Sequence, residues 1–183
     1  MPEPISKLVS RCLTMPEANI DTDQIIPARY LTTVSRIGLG EHLFADRRHA
    51  PPFDDTRAAS CSILVAGDNF GCGSSREHAA WALADYGVRA VISTRIADIF
   101  RANAIKNGIV PIEITTDDHG FLTGNPWIQA ELDLPNRCIR VSDRVIRFEI
   151  DEFHAHCLTR GIDELDFLSG HGDRITEFEE TRR

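Results

Sequence analysis

A glycine-rich segment near the middle of the chain, residues 67–78, holds the side chains best suited to binding an anion. It reads Gly67-Asp68-Asn69-Phe70-Gly71-Cys72-Gly73-Ser74-Ser75-Arg76-Glu77-His78 and lies between an apolar run and a helical pattern. Glycines let the backbone approach a ligand closely, and the free N–H groups at a helix start attract negative charge. Arg76 adds a guanidinium suited to a carboxylate or phosphate. Ser74 and Glu77 have the spacing of a capping box, which predicts the helix start.

Known phosphate-binding and nucleophile motifs do not fit this segment. A dinucleotide fingerprint would need a glycine where Arg76 stands, and both the Gly-Lys-Ser/Thr end of a P-loop and the G-x-S-x-G elbow are absent. A plain glycine turn capped by serine, with Arg76 on a solvated face, is the competing interpretation. The residue types alone leave both interpretations open.

Two other groups of polar residues give weaker patterns. His154, His156 and Cys157 lie close together, but no second pair of ligands is evident. An amphipathic helix is therefore the preferred interpretation, and no metal site is predicted on this chain. Asp21 and Asp23 lie in a polar turn, where forming the turn is the simplest role for them.

The elements around the glycine-rich segment predict an α/β fold with a mixed sheet. Residues 61–66, 88–93 and 109–114 are apolar runs, and helical patterns fill 75–86 and 96–106. Strand, helix, strand, helix and strand at this spacing predict parallel pairing. Residues 61–114 should therefore form a β-α-β-α-β centre. The second helix is expected to bury Ile96, Ile99 and Phe100.

The regions on either side of this centre have different patterns. Residues 5–13 predict a first strand, whereas 28–60, with scattered glycines, prolines and charges, predict a long loop region. Alternating apolar and polar residues predict short strands at 130–134, 138–141 and 145–150. A helix is predicted from Asp151 to Arg160, and a last helical stretch over 173–180. We expect one domain over residues 1–183, with strands and C-terminal helices in 130–183.

Charge and composition exclude several classes of protein. The chain has 20 Lys and Arg against 28 Asp and Glu, which gives a net charge of −8. Because no basic cluster offsets this charge, the composition argues against nucleic-acid binding. A membrane span needs about 20 apolar residues, and the apolar runs here are far shorter. Five cysteines without a CxxC pair, and no apolar leader, predict a reduced, cytoplasmic protein.

The segment from Asn69 to Ala79 resembles a signature of the swivelling domain of the aconitase superfamily. The stretch Asn19-Ile20-Asp21-Thr22-Asp23-Gln24-Ile25-Ile26-Pro27 resembles that domain's other signature, and residues 97–111 and 147–163 fit as well. Nearly the whole chain is covered. Its length and C-terminal part are similar to the family of 3-isopropylmalate dehydratase small subunits. The resemblance implies a swivelling β/β/α domain.

The resemblance also implies a reaction and a partner. The reaction removes and re-adds water, interconverting 2-isopropylmalate and 3-isopropylmalate in leucine biosynthesis. The partner is the dehydratase large subunit, which in this family binds a [4Fe–4S] cluster through three cysteines and forms a heterodimer with the small subunit. No cofactor is then expected on this chain, and the substrate is a small dicarboxylate.

Site residues follow from the same resemblance. Ser74 matches the family's catalytic base, which takes a proton from carbon, while Ser75 and Arg76 match contacts to substrate carboxylates. Asp23 matches an acidic position on the facing loop. Aconitases follow this aspartate with a histidine and then a serine, whereas residues 24–26 here are Gln-Ile-Ile. That difference fits the isopropylmalate branch.

The segment after Pro27 is expected to select the substrate side group. Its residues are Arg29, Tyr30, Leu31, Thr32, Thr33 and Val34. The small subunit of a homoaconitase, or of a citraconate or dimethylmalate hydratase, stays open as an alternative. Arg29 bears on this choice, because an arginine pointing inward could hold a third carboxylate. The other alternative is an anion-binding module without a catalytic role.

Overall fold

A computed structural model describes residues 3–170, 172, 178, 180 and 181. Within that part of the chain, seven strands form one sheet. They are β1 Lys7–Met15, β2 Ile63–Ala66, β3 Ala90–Ser93, β4 Val110–Glu113, β5 Gln129–Asp133, β6 Cys138–Val141 and β7 Arg144–Arg147. The strand order across the sheet is β4-β3-β2-β1-β5-β6-β7.

The sheet has a parallel half and an antiparallel half that meet at β1. Strands β1, β2, β3 and β4 pair in parallel. On its other side β1 pairs antiparallel with β5, which continues through β6 to β7. The predicted mixed sheet with a parallel centre is therefore confirmed.

Six α-helices connect or flank these strands in the described residues. They are α1 Thr22–Ile25, α2 Glu77–Tyr86, α3 Asp98–Lys106, α4 Thr116–Thr123, α5 Glu152–Arg160 and α6 Glu164–Ser169. Short 3₁₀ turns occur at Ala28–Tyr30, Gly40–His42, Ala45–Arg47 and Thr56–Ser60. In the parallel half, α2 and α3 are the crossovers between successive strands.

Alternate residues of the central strands enter two separate hydrophobic cores. Leu64 of β2 packs in one core with residues of α2, α3 and the 28–60 region. Ile63, its neighbour on the same strand, packs in the other core with β5–β7 and with Leu122 of α4. Because side chains alternate across a strand, the continuous apolar run of β2 is buried on both faces.

The start of α2 differs from the sequence prediction. The helix begins at Glu77, and its N-cap is Arg76, with no side-chain capping bond. The capping box expected from Ser74 is therefore wrong. Ser74 is held outside the helix, because its carbonyl oxygen accepts a hydrogen bond from the Thr22 hydroxyl, 2.9 Å away.

Three other expectations are corrected. Ile99 is 54% exposed instead of buried, because adjacent residues of a helix point in different directions and in the first turn of α3 only Phe100, at 1% exposure, points into the core. The last strand ends at Arg147 and not at residue 150. The 28–60 region is irregular as predicted but contributes Leu43 and Phe44 to the core. Of the helix expected over 173–180, all but residues 178 and 180 lie outside the described residues.

Candidate active site

The two signature segments lie side by side, and backbone hydrogen bonds join them. Asp21 and Cys72 form an isolated parallel bridge. The bonds are Asn19 N to Asp68 O at 2.8 Å, Gly71 N to Ile20 O at 2.8 Å and Thr22 N to Cys72 O at 3.0 Å. Both segments follow the carboxyl ends of neighbouring parallel strands, β1 and β2, where ligand sites of α/β sheets form.

Two glycines give the loop after β2 its shape. Gly71 has φ +74°, and a Cβ at this position would lie 2.3 Å from Cγ of Phe100. Gly73 has φ +90°, but a Cβ there would make only ordinary van der Waals contacts, with no atom closer than 3.4 Å. The left-handed backbone at both positions favours glycine. Only Gly71 is also required by packing.

Arg76 and Asp23 form a salt bridge across the two segments. The Nη1 group of Arg76 donates to Oδ1 of Asp23. The Arg76 side chain is only 17% exposed, so this contact is partly shielded from water. Asp23 belongs to the short helix α1, whose N-cap Asp21 accepts a hydrogen bond from the Gln24 backbone N–H at 2.8 Å. The turn-forming role expected for Asp21 is present, whereas Asp23 contacts the arginine.

A cavity of about 220 Å³ opens beside this salt bridge. One side is lined by Thr22, Gly71, Gly73, Ser74 and Arg76, and the other by Ala97, Asp98, Ile99, Phe100 and Asn103. The second side was not among the predicted site residues. It comes from the start of α3, which follows β3, and the rule that loops after adjacent parallel strands meet at one edge could have indicated it.

The predicted site residues divide into two sets. Ser74 and Arg76 line the cavity, Asp23 is bonded to Arg76, and Ser75 is exposed next to them. None of residues 29–34 lines the cavity.

Residues 29–34 are held at the side of the site. Arg29 donates to the Asp46 carboxylate, with Nη1 to Oδ2 at 3.2 Å, and this hydrogen bond lowers the pKa of Asp46. Tyr30 stacks on the His42 ring at 3.9 Å between centroids. Leu31 packs against the core, while Thr32 and Val34 are exposed. The Arg29 guanidinium is thus occupied by Asp46 and does not enter the cavity.

The comparisons with known proteins agree along the chain. Residues 3–117 match the family described as the aconitase C-terminal domain. The 3-isopropylmalate dehydratase small subunit of Anaeromyxobacter sp. strain K is 50% identical over 190 residues, which cover 99% of this chain and 100% of that protein. The chain belongs to the 3-isopropylmalate dehydratase small-subunit family. The small subunit of Solibacter usitatus strain Ellin6076 is 48% identical over 96% of this chain and 93% of its own.

A solved structure confirms the fold of this small-subunit family. The crystal structure of 3-isopropylmalate dehydratase from Methanocaldococcus jannaschii matches with a TM-score of 0.74 and 30% sequence identity. The match covers 93% of this chain and 98% of the other. The resemblance to the aconitase swivelling domain, and the α/β class with its mixed sheet, are confirmed.

The cysteines of this small-subunit family member do not fit an iron–sulfur cluster. Cys12, Cys61, Cys138 and Cys157 are buried. Burial raises the pKa of the Cys12 thiol to about 12 and also raises the pKa of Cys61 and Cys157. These shifts favour the protonated thiol in the metal-free protein, whereas a thiolate is the form that binds metal. Across the described residues, no three His, Cys, Asp or Glu side chains are grouped to hold a metal ion.

No helix in the described part of the chain is both long and apolar enough to cross a membrane.

Proposed function

We propose that this chain is the small subunit of a 3-isopropylmalate dehydratase and helps interconvert 2-isopropylmalate and 3-isopropylmalate in leucine biosynthesis. One observation carries the proposal. Ser74 and Arg76 line a single cavity, and Asp23 from the other signature segment holds Arg76 there. Residues 1–183 act as one swivelling domain in this proposal.

Arg76 and Ser75 bind a substrate carboxylate in this scheme. The guanidinium has five N–H donors, and Asp23 takes Nη1. The remaining donors are left for a carboxylate, and two parallel bonds from an arginine give both strength and orientation. Asp23 therefore orients Arg76 toward the cavity while staying at its edge. The partial burial of Arg76 strengthens both contacts, because less water competes for the charge.

Ser74 acts as the base that takes a proton from substrate carbon. A serine hydroxyl is a weak base, so its alkoxide must be stabilised by nearby N–H groups and positive charge. The start of α2 supplies N–H groups, and Arg76 supplies the charge two residues away. Ser74 is exposed, and its hydroxyl makes no hydrogen bond to another described residue. The hydroxyl is therefore available to contact the substrate.

The partner is the large subunit, in a cytoplasmic heterodimer. Small-subunit relatives are named for one half of an enzyme, and the cysteines here do not suit a cluster. The [4Fe–4S] cluster is assigned to the large subunit, where an open iron would supply Lewis acidity to the substrate hydroxyl.

Residues 29–34 select the substrate side group from the edge of the site. Their link to the site is the contact between the Thr33 carbonyl and His78, two residues after Arg76. The Arg29 guanidinium is already paired with Asp46. This pairing favours a substrate with an alkyl side group over one with a third carboxylate. This observation disfavours a homoaconitase small subunit.

The test is reconstitution with the large subunit and 2-isopropylmalate. We expect turnover by the pair and none by this chain alone. Arg76→Lys in the pair should lower kcat/KM about a hundredfold, because a lysine cannot make two parallel bonds to a carboxylate.

Arg95→Lys is the matched control, since Arg95 also pairs with an aspartate, Asp68, but lies outside the cavity. It should leave turnover unchanged. Turnover by the chain alone, or equal losses in the two lysine variants, would contradict the proposed function. Failure of the chain to bind any cluster-bearing large subunit would instead support the non-catalytic module.

A further inference from the structure

Residues 33–40, here called the arch, lie along helix α2 and are tied to it at both ends. At one end, Nε2 of His78 lies 3.0 Å from the Thr33 carbonyl oxygen. At the other end, the Asp85 carboxylate accepts hydrogen bonds from the backbone N–H groups of Gly38 at 2.9 Å and Gly40 at 2.8 Å. His78 and Asp85 are seven residues apart, two turns along the helix, and so project on the same face.

The middle of the arch has little else to hold it. Val34 is 96% exposed and Ile37 is 83% exposed, so neither contributes packing. Arg36 lies over the Trp81 ring at 5.3 Å, which is again a contact to α2. Leu39, near the end of the arch, is only 2% exposed and packs in the core. The position of residues 33–38 therefore depends mainly on side chains of α2.

The contact at His78 has a defined direction. A carbonyl oxygen can only accept, so His78 must carry its proton on Nε2 and donate to Thr33. The imidazole also packs against Trp81, with ring centroids 4.5 Å apart. That packing limits the rotation of the ring and aims Nε2 at the arch.

The helix that holds the arch also begins at the candidate active site. Its N-cap is Arg76, and His78 lies two residues further on. A helix rises by about 1.5 Å per residue and is stiff over such a short distance. The hydrogen bond from His78 therefore ties Thr33 to the first turn of α2 and so to the Arg76 backbone. On the other side of Thr33, Leu31 packs against the core.

We infer that His78 is a positioning residue that fixes Thr33 and Val34 relative to Arg76 and so sets which alkyl group the enzyme accepts. The inference rests on the proposed function, because it assumes that residues 29–34 face the substrate side group. His78 does not touch the reacting atoms. It acts through the arch, and Arg76 remains in place without it.

Two substitutions separate the hydrogen bond from the bulk of the side chain. His78→Phe keeps a ring against Trp81 but removes the donor, whereas His78→Gln places an amide N–H at a similar reach. In the reconstituted pair, kcat/KM is measured for 3-isopropylmalate and for the analogue with methyl in place of isopropyl. His78→Phe should lower the ratio of these constants about tenfold, mainly through KM for isopropylmalate. His78→Gln should restore it.

Amide hydrogen exchange on the isolated chain gives a readout that needs no turnover. In His78→Phe, residues 33–40 should exchange faster while residues 69–76 keep their wild-type rates. Asp85→Ala releases the other end of the arch from an exposed position, and it serves as the second variant if His78→Phe does not fold. It should speed exchange of residues 33–40 and lower the same ratio.

The outcomes distinguish this inference from the proposed function. No conversion of isopropylmalate by the wild-type pair would overturn the proposed function. Normal wild-type conversion with an unchanged ratio in His78→Phe and Asp85→Ala would overturn the inference alone. Equal losses in His78→Phe and His78→Gln would also overturn it, because the effect would then not come from the hydrogen bond.

Discussion

The glycine-rich segment 67–78 and the Thr33 end of the arch 33–40 both lie at the start of α2, but the two regions are held in different ways. The glycine-rich segment is joined to residues 19–22 by backbone hydrogen bonds, and Gly71 packs on Phe100. The arch is held mainly by side chains of α2, with its middle exposed and only Leu39, near its end, buried in the core. Backbone bonds hold one shape whatever the side chains are, whereas side-chain bonds change with a single substitution. The first arrangement suits chemistry shared by a superfamily, and the second suits substrate choice.

Ser74→Ala should give the largest effect, and on activity alone. Loss of a general base lowers kcat by about a thousandfold. The free energy of unfolding should not change, because Ser74 is exposed and does not cap α2. Steady-state kinetics of the reconstituted pair and thermal melting of the chain check both parts. If the variant kept substantial activity per folded molecule, Ser74 would not be the base.

Gly71→Ala tests the rigidity of the glycine-rich segment. Its Cβ would overlap the Phe100 ring at a backbone angle that disfavours alanine, so we expect a loss of about 2–4 kcal/mol in the free energy of unfolding. Gly73→Ala is the matched control. It meets a similar backbone penalty without a steric overlap, and should cost about 1 kcal/mol. Urea denaturation compares the two, and equal losses would show that Phe100 packing does not constrain the segment.

Local pattern was sufficient to predict the parallel centre. The apolar runs of β2, β3 and β4 enter two cores at once, and α2 ends at residue 86 as predicted, with a left-handed C-cap at Gly87. Helix α4 was not predicted, because Thr116–Thr123 has a polar first turn, an internal Gly120 and only Leu122 buried. Its position is decided by packing of Leu122 on the sheet, which one sequence does not show.

Residue types indicated the part of the candidate site that is continuous along the chain, and the resemblance added Asp23. The contacts between distant segments were not predicted. Ser74 and Arg76 lie in one segment, and their neighbourhood was visible in the sequence. The bond from Thr22 to the Ser74 carbonyl spans 52 residues, and it displaces the helix start that the Ser74–Glu77 spacing indicated. The bond from Arg29 to Asp46 likewise joins two parts of an irregular region. No local pattern predicts either contact.

The smallest expected effect is that of breaking the ion pair between Arg29 and Asp46, next to the arch. Asp46 binds its guanidinium through two oxygens, and both side chains are more than half exposed. Exposed ion pairs contribute little to stability, so Asp46→Asn should leave the melting temperature almost unchanged. It should, however, free the Arg29 charge beside residues 30–34.

Once Arg29 is no longer paired, the enzyme should accept a substrate with a third carboxylate more readily. Its selection of the alkyl group should not change. We expect Asp46→Asn to raise kcat/KM for a homoaconitate-type substrate on the order of two- to fivefold in the reconstituted pair, with isopropylmalate unchanged. Arg29→Ala should spare isopropylmalate, and the double variant Arg29→Ala with Asp46→Asn should lose the gain, because the gain requires the guanidinium. A gain that survives in the double variant would come from the loss of the Asp46 charge itself. In that case the side group would be selected by the net charge of the 28–60 region, and the contrast between a backbone-held site and a side-chain-held arch would not explain specificity.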